Sequence, residues 1–206
     1  MKKLENLKGL ILAGGFATRF KGKKCLALLQ QKPLINWVYT ALEPFCQEIW
    51  ISLRPDQEKI VFPAKLANTR FVFDENPGAG PAAAISTALK VAPESAFLVV
   101  PCDQPLLKKS LLQYLLKKFE SNPLLEALAF SDEKGRLLPF PGIYRKGLQK
   151  GSLREIFKTC RGEIIPPAEW RTYDPAGLSF FNINYREDLK EAAKLLEQTS
   201  GSAACS

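Results

Sequence analysis

The stretch Leu10-Ile11-Leu12-Ala13-Gly14-Gly15, followed by Arg19 and Lys24, decides how the rest of the chain is read. An apolar run that ends on tandem glycines is a buried strand entering a tight turn. Without a Cβ in the way, such a backbone can approach an anion and present its N–H groups, and the two cations can follow the charge of a polyphosphate. The segment is neither a Walker loop, since no Gly-Lys-Ser/Thr follows at the required spacing, nor a G-x-G-x-x-G fingerprint. Taken alone, it also reads as an ordinary turn with solvated lysines.

Working outward, strand and helix patterns alternate. Leu7–Leu12, Glu48–Leu53 and Arg70–Phe73 read as strands, Leu34–Leu42 as a helix, and Gly80-Pro81 opens an alanine-rich helix to about Val91. Ala96–Val100 is a continuous apolar run, as expected of a strand covered on both faces. Ser110–Phe119 carries Leu111, Leu112, Leu115, Leu116 and Phe119 at helical spacing. The expected fold is α/β: a single-domain, three-layer, doubly wound and mostly parallel sheet of Rossmann-like type. In such sheets ligands lie at the carboxyl ends of the strands, where Gly14, Asp74 and Asp103 fall.

Beyond residue 120 the pattern loosens. Glu126–Phe130 and Leu137–Tyr144 read as strands around the turn at 132–135, and Pro139 and Pro141 favour an edge or a loop. Ser152 is the N-cap of a helix to Thr159, Ile164-Ile165 is a strand stopped by Pro166-Pro167, and Glu187–Gln198 is a final amphipathic helix. The domain is expected to span 1–199, with 200–206 as a small, polar tail without fixed structure.

The chain has 206 residues and no histidine, which removes Ser-His-Asp and Cys-His catalysis and every His-ligated metal. Chemistry must rest on carboxylates, lysine, arginine, backbone N–H groups or a hard cation held by oxygen. The five cysteines form no C-x-x-C pair and support neither a disulfide framework nor a structural zinc. A net charge of +8 suggests anionic partners. The basic residues are nevertheless dispersed, without an Arg-rich stripe or interleaved aromatics, which favours a small phosphorylated ligand over nucleic acid. With no apolar run near the length of a membrane span and no signal peptide, a cytoplasmic protein is expected.

Asp103, in Pro101-Cys102-Asp103-Gln104-Pro105, follows the strand at Val99-Val100. A carboxylate fixed there suits Mg²⁺, which takes few protein ligands beside substrate phosphates. The same residue could instead cap the following loop. Asp74 closes the strand Phe71-Val72-Phe73 and could equally bond its own turn. Cys102 reads as a packed thiol.

The wider spelling, from Leu12 through Phe20 to Lys24 and then Lys32-Pro33-Leu34, resembles the signature of nucleotidyltransferases that activate a phosphorylated small molecule with a nucleoside triphosphate. In particular it is similar to the molybdenum-cofactor guanylyltransferase family. Relatives that use CTP tend to carry Leu-Ala-Ala-Gly at this turn. Pro-Cys-Asp at 101–103 and Asn182-Ile183-Asn184 before Glu187-Asp188 fall in the family's order, so the resemblance runs from Lys8 to about Leu195.

The resemblance implies transfer of GMP from Mg²⁺·GTP to the phosphate of the molybdopterin cofactor, with release of pyrophosphate. Leu12, Ala13, Gly14, Gly15, Ser52 and Asp74 are then nucleotide-binding, Arg19 and Lys24 hold the triphosphate, and Asp103 binds nucleotide and Mg²⁺. Asn182 and Asn184, alternating on a strand, are placed toward the second substrate or, equally, in a structural role. It further implies a molybdoenzyme or cofactor-carrier protein as recipient, a monomer or weak oligomer, and neither nucleic acid nor membrane as partner.

The chain departs from the family at four places. Ser52 stands for the usual asparagine, Ala84 for the last glycine of Gly-Pro-Leu-Ala-Gly, Lys23 for the acid before the key lysine, and Leu138 for a histidine. A sister enzyme using CTP or another nucleotide, and a nucleotide-binding regulatory module without turnover, are the alternatives that the residues leave open.

Overall fold

Strand β1 (Leu7–Leu12) sits inside the sheet because both of its faces are apolar. Leu7 and Ile11 enter one core cluster and Leu10 the opposite one. The computed structural model describes residues 6–15, 20, 23–57, 69–75, 78, 80–145 and 152–202. After a single helical turn at Lys24–Leu26 come β2 (Leu28–Leu29), β3 (Lys32–Pro33), α1 (Leu34–Leu42), β4 (Ile49–Leu53) and β5 (Thr69–Phe73). Then follow α2 (Pro81–Val91), β6 (Ala96–Pro101), α3 (Lys109–Glu120), β7 (Ala127–Ser131) and β8 (Leu137–Tyr144). The chain continues through α4 (Leu153–Thr159), β9 (Gly162–Ile165), α5 (Pro167–Trp170) and α6 (Asp188–Ser202).

Among the described residues seven strands form one sheet in the order β5-β4-β1-β6-β8-β7-β9. All neighbours run parallel except those of β8, which is antiparallel to both β6 and β7. Helices α1 and α3 pack on one face through residues such as Ile35, Val38, Leu112 and Leu115. The other face is covered by α2 and α4 through Ile85, Ala88, Leu153 and Ile156. The expected three-layer, mostly parallel α/β architecture is what the chain adopts. Strand order reverses at β1, whose neighbours are β4 and β6, and the crevice at their carboxyl ends is where such sheets take ligands.

Strand β8 corrects the sequence reading. Pro139 and Pro141 do not mark an edge, because β8 lies between β6 and β7. The prolines are tolerated because the register with β7 shifts: Leu138 pairs with Phe130 but Ile143 with Leu128, so five steps of β8 face two of β7. In that bulge no ladder partner demands the missing N–H groups. The Tyr144 hydroxyl spans it, donating to the Pro139 carbonyl at 2.8 Å.

Gly142 fills the bulge so closely that an added Cβ would lie 2.4 Å from the same carbonyl oxygen. Gly142→Ala should therefore cost about 1–3 kcal/mol of stability through backbone displacement. Urea unfolding of the two proteins reads it directly, and an unchanged midpoint would mean that the bulge is plastic.

Four further differences are local. The β2–β3 hairpin is absent from the sequence reading because its turn residues, Gln30 and Gln31, adopt φ of 47° and 63°, a conformation normally signalled by Asn or Gly. Pro166 follows the end of β9 as the N-cap of a further helix, α5, which Pro167 opens at its first position, where a missing N–H costs nothing. Residues 181–184 belong to no strand, contrary to the expected strand at Asn182-Ile183-Asn184. Helix α6 continues to Ser202, three residues into the expected tail. The Ser152 cap is present as a capping box: its hydroxyl accepts from the Glu155 N–H at 3.2 Å, and the Glu155 carboxylate accepts from the Ser152 N–H at 2.7 Å. Among the described residues no helix is long and apolar enough to cross a membrane.

Candidate functional site

The carboxyl ends of β1, β4, β5 and β6 open into a cleft of about 620 Å³. Its floor is fixed by backbone bonds that fasten the end of β1 to both neighbours. The Ala13 N–H donates to the Ser52 carbonyl at 2.9 Å, and the Cys102 N–H donates to the Leu12 carbonyl at 3.0 Å. The Asp74 N–H donates to the Leu53 carbonyl at 2.8 Å, which sets Asp74 at the same level. Leu12, Ala13, Gly14, Gly15, Lys24, Ser52, Asp74 and Asp103 all line this one cleft, although they are dispersed over 92 positions of sequence.

At Gly14 an added Cβ would press on the backbone of Leu53 and Arg54 at 3.2–3.3 Å, so the glycine permits close packing of the turn on β4. Across the cleft, Gly80 enters α2 at φ +83° and ψ −177°, a conformation open essentially to glycine alone, and Pro81 follows at the first helical position. Ala84, one turn on, is buried and also lines the cleft, so its methyl group forms part of the wall that would face a nucleoside.

Lys24 and Asp103 form an ion pair through Lys24 Nζ and Asp103 Oδ2, and Lys24 Nζ also donates to Asn184 Oδ1 at 3.4 Å. The other Asp103 oxygen, Oδ1, is buried and has no hydrogen-bond partner among the described residues. Leaving a buried carboxylate oxygen unpaired is costly, and a bound cation would satisfy it. No group of three or more Cys, Asp or Glu able to hold a metal occurs among the described residues. One carboxylate in the wall of a cleft large enough for a nucleotide suits a hard cation carried mainly by substrate and water. Lys23 lines the cleft and is exposed, but it is Lys24 that pairs with Asp103.

Asn184 is brought there by Ile183. That side chain is fully buried in the cluster formed by Leu29, Leu34, Leu106 and Ala192, and its N–H donates to the Asp103 carbonyl at 2.9 Å. Asn182, two residues away on the same exposed side, turns its amide onto the Phe180 carbonyl at 3.0 Å. The two asparagines are thus divided: one touches the Lys24–Asp103 pair and the other bonds locally. Arg19 lies outside the described residues, as does Lys21.

Burial pushes the Cys102 thiol well above its ordinary pKa, reinforced by the adjacent Asp103 charge, and burial raises Cys25 as well. Both are packed thiols rather than nucleophiles. Among the cleft residues that escaped the sequence reading are Arg54, Asp56 and Gln57, in the turn after β4. Their signal was position, an Arg-Pro-Asp-Gln directly at the carboxyl end of a strand already assigned to the sheet. The hydrogen bond from Arg54 holds the Asp56 carboxyl below its usual range. Phe140 reaches the cleft from β8 and could not be placed before that strand was known to be internal.

With this geometry in view, the MobA-like NTP transferase domain matches residues 9–163, well over half of the chain. The protein belongs to the MobA-like NTP transferase family. It is therefore a nucleotidyltransferase, of a kind that generally uses a divalent metal. Among its relatives, a molybdenum cofactor guanylyltransferase from Polynucleobacter asymbioticus is 33% identical over 90% of this chain and 95% of its own length. A probable molybdenum cofactor guanylyltransferase from Carboxydothermus hydrogenoformans is 32% identical over 70% of this chain and 68% of its own. The crystal structure of molybdopterin-guanine dinucleotide biosynthesis protein A from Archaeoglobus fulgidus superposes with a TM-score of 0.77 at 25% identity, covering 93% of this chain and 99% of that one. The MobA-like assignment thus rests on sequence and fold together.

Proposed function

We propose that this MobA-like transferase moves GMP from GTP to the phosphate of the molybdopterin cofactor, forming the guanine dinucleotide and releasing pyrophosphate. The observation that carries this reading is the gathering of the glycine turn, Lys24, Asp74 and Asp103 around one cleft, in a chain whose relatives bear that activity in their names. The attacking phosphate is already a nucleophile at neutral pH, so no strong base is required, in keeping with a chain that has no histidine. Catalysis then consists of alignment for in-line attack and of neutralising charge on the departing pyrophosphate.

In this reading the Gly14 and Gly15 N–H groups and Lys24 hold the triphosphate, Ser52 and Asp74 orient the nucleoside, and the Asp103 carboxylate would hold Mg²⁺. The metal, when bound, supplies Lewis-acid stabilisation of phosphoryl charge. Arg19 is proposed as a further triphosphate ligand on the family pattern alone. Asn184, beside Lys24, is the better placed of the two asparagines to meet the incoming phosphate. The product passes to a molybdoenzyme or a cofactor carrier, and a cytoplasmic monomer or weak oligomer fits that role.

Isothermal titration of the four nucleoside triphosphates with Mg²⁺ tests the base assignment. GTP is expected to bind most tightly. Ser52, with one hydroxyl where an amide is usual, should make the margin modest, since one polar base contact is worth about 1–3 kcal/mol. Equal affinities, or a preference for CTP, would overturn the guanylyl reading and leave the transferase family intact.

A further inference from the structure

The turn that follows β4 grips the glycine turn from behind. Arg54 Nη1 donates to the carbonyls of Gly14 at 2.9 Å and Gly15 at 3.1 Å. Its Nε and Nη2 donate to the two carboxylate oxygens of Asp56 at 2.8 and 2.9 Å. The Arg54 N–H donates to Gln57 Oε1 at 2.8 Å, and Gln57 Nε2 donates to the Ala13 carbonyl at 3.3 Å. Three successive carbonyls, those of residues 13, 14 and 15, are thereby held by one short segment.

In a trans peptide the N–H points opposite to the C=O of the same unit. Fixing the Ala13 carbonyl therefore directs the Gly14 N–H away from the clamp, and fixing the Gly14 carbonyl does the same for the Gly15 N–H. Tandem glycines left alone would sample many conformations, and ordering them on ligand binding would weaken affinity. Only a guanidinium has the planar fork to reach two carbonyls and a carboxylate at once. Pro55 and the single helical turn Pro55–Gln57, closed by the Gln57 N–H on the Arg54 carbonyl at 2.9 Å, fold Asp56 back onto Arg54. Asp56 then both orients the guanidinium and balances its charge, so the arginine is committed to the turn rather than to a phosphate.

We propose that Arg54 and Asp56 are a positioning pair that presets the Gly14–Gly15 turn as a donor of backbone N–H groups to the triphosphate. This rests on the nucleotidyltransferase reading of the cleft. It predicts an effect that grows with the number of phosphates and is blind to the nucleoside.

The test is titration of guanosine and of GTP, without divalent metal, into wild type, Arg54→Gln, Arg54→Lys and Asp56→Asn, with thermal unfolding alongside. Arg54→Gln should weaken GTP about tenfold or more while guanosine changes little. Arg54→Lys should rescue little, because one ammonium cannot bridge these partners. Asp56→Asn gives the sharpest sign. Removing an acid near a triphosphate should tighten binding on charge alone, whereas loss of the clamp weakens it severalfold.

Full affinity in Arg54→Lys, tighter GTP in Asp56→Asn, or equal losses for guanosine and GTP would each overturn the proposal. Should Arg54→Gln fail to fold, the exposed Asp56 variant still decides the sign. If wild type prefers CTP, the guanylyl reading fails, and the same series with cytidine and CTP still judges the clamp.

Discussion

Asp103→Asn is expected to lower nucleotidyl transfer about 10²–10³-fold or more while the protein stays folded. The exchange is nearly isosteric, and the backbone bond that ties this position to Ile183 uses the Asp103 carbonyl, which asparagine retains. What disappears is the negative charge, and with it the means of holding a divalent cation at the buried Oδ1. In a site without histidine, a metal at the α-phosphoryl would be among the largest available contributions to rate. The variant also releases Lys24 from its ion pair. Because both side chains are partly solvated, 16% and 19% exposed, the stability loss should be roughly 1–2 kcal/mol rather than that of a sealed pair.

The decisive comparison is GTP affinity with and without Mg²⁺ in both proteins. Without metal, Asp103→Asn should bind GTP as well as wild type or better, since a carboxylate that repels the triphosphate has gone. With metal, the wild-type gain should vanish. Retained activity with an unchanged Mg²⁺ requirement would place the metal elsewhere, and an unfolded variant would make Asp103 a structural cap.

Lys24→Ala should weaken GTP by about tenfold to a hundredfold, the usual worth of a charge-assisted hydrogen bond of about 1.5–3 kcal/mol. Lys23→Ala should change it by about twofold or less, because a solvated surface charge contributes little. The warrant is geometric: Lys24 sits between Asp103 and Asn184, whereas its neighbour is exposed. The alanine variant also strands Asp103 without its cation, so repulsion between carboxylate and triphosphate adds to the lost attraction. Nucleotide titrations of the two single variants discriminate cleanly. If Lys23→Ala is the damaging change, the register of this loop is displaced by one residue.

The parallel half of the molecule was legible in the chain because its signals are local. Leu7–Leu12, Leu34–Leu42 and Pro81–Val91 carry strand or helix periodicity and proline or glycine punctuation that short-range physics reads directly, and the structure keeps those bounds. Since parallel strands put their ends at one edge, placing Gly14, Asp74 and Asp103 at strand ends already implied that they meet. The hairpin at Gln30-Gln31 was not legible, because its positive φ values are imposed by packing rather than by residue type.

Periodicity and composition thus specify the layered α/β sheet and exclude histidine chemistry, and the motif order carries the family resemblance. That β8, prolines included, lies inside the sheet emerges from the folded arrangement alone, because a three-residue surplus against β7 is a relation between distant segments. That arrangement likewise decided that Asn184 and not Asn182 reaches Lys24, because burial of Ile183 against Leu29, Leu34 and α6 sets which amide faces the cleft. And it brought Arg54 behind Gly14, forty positions away in the chain. Local propensity fixes what each segment becomes; which side chains meet across the strand ends depends on long-range packing, to which no short stretch of sequence is sensitive.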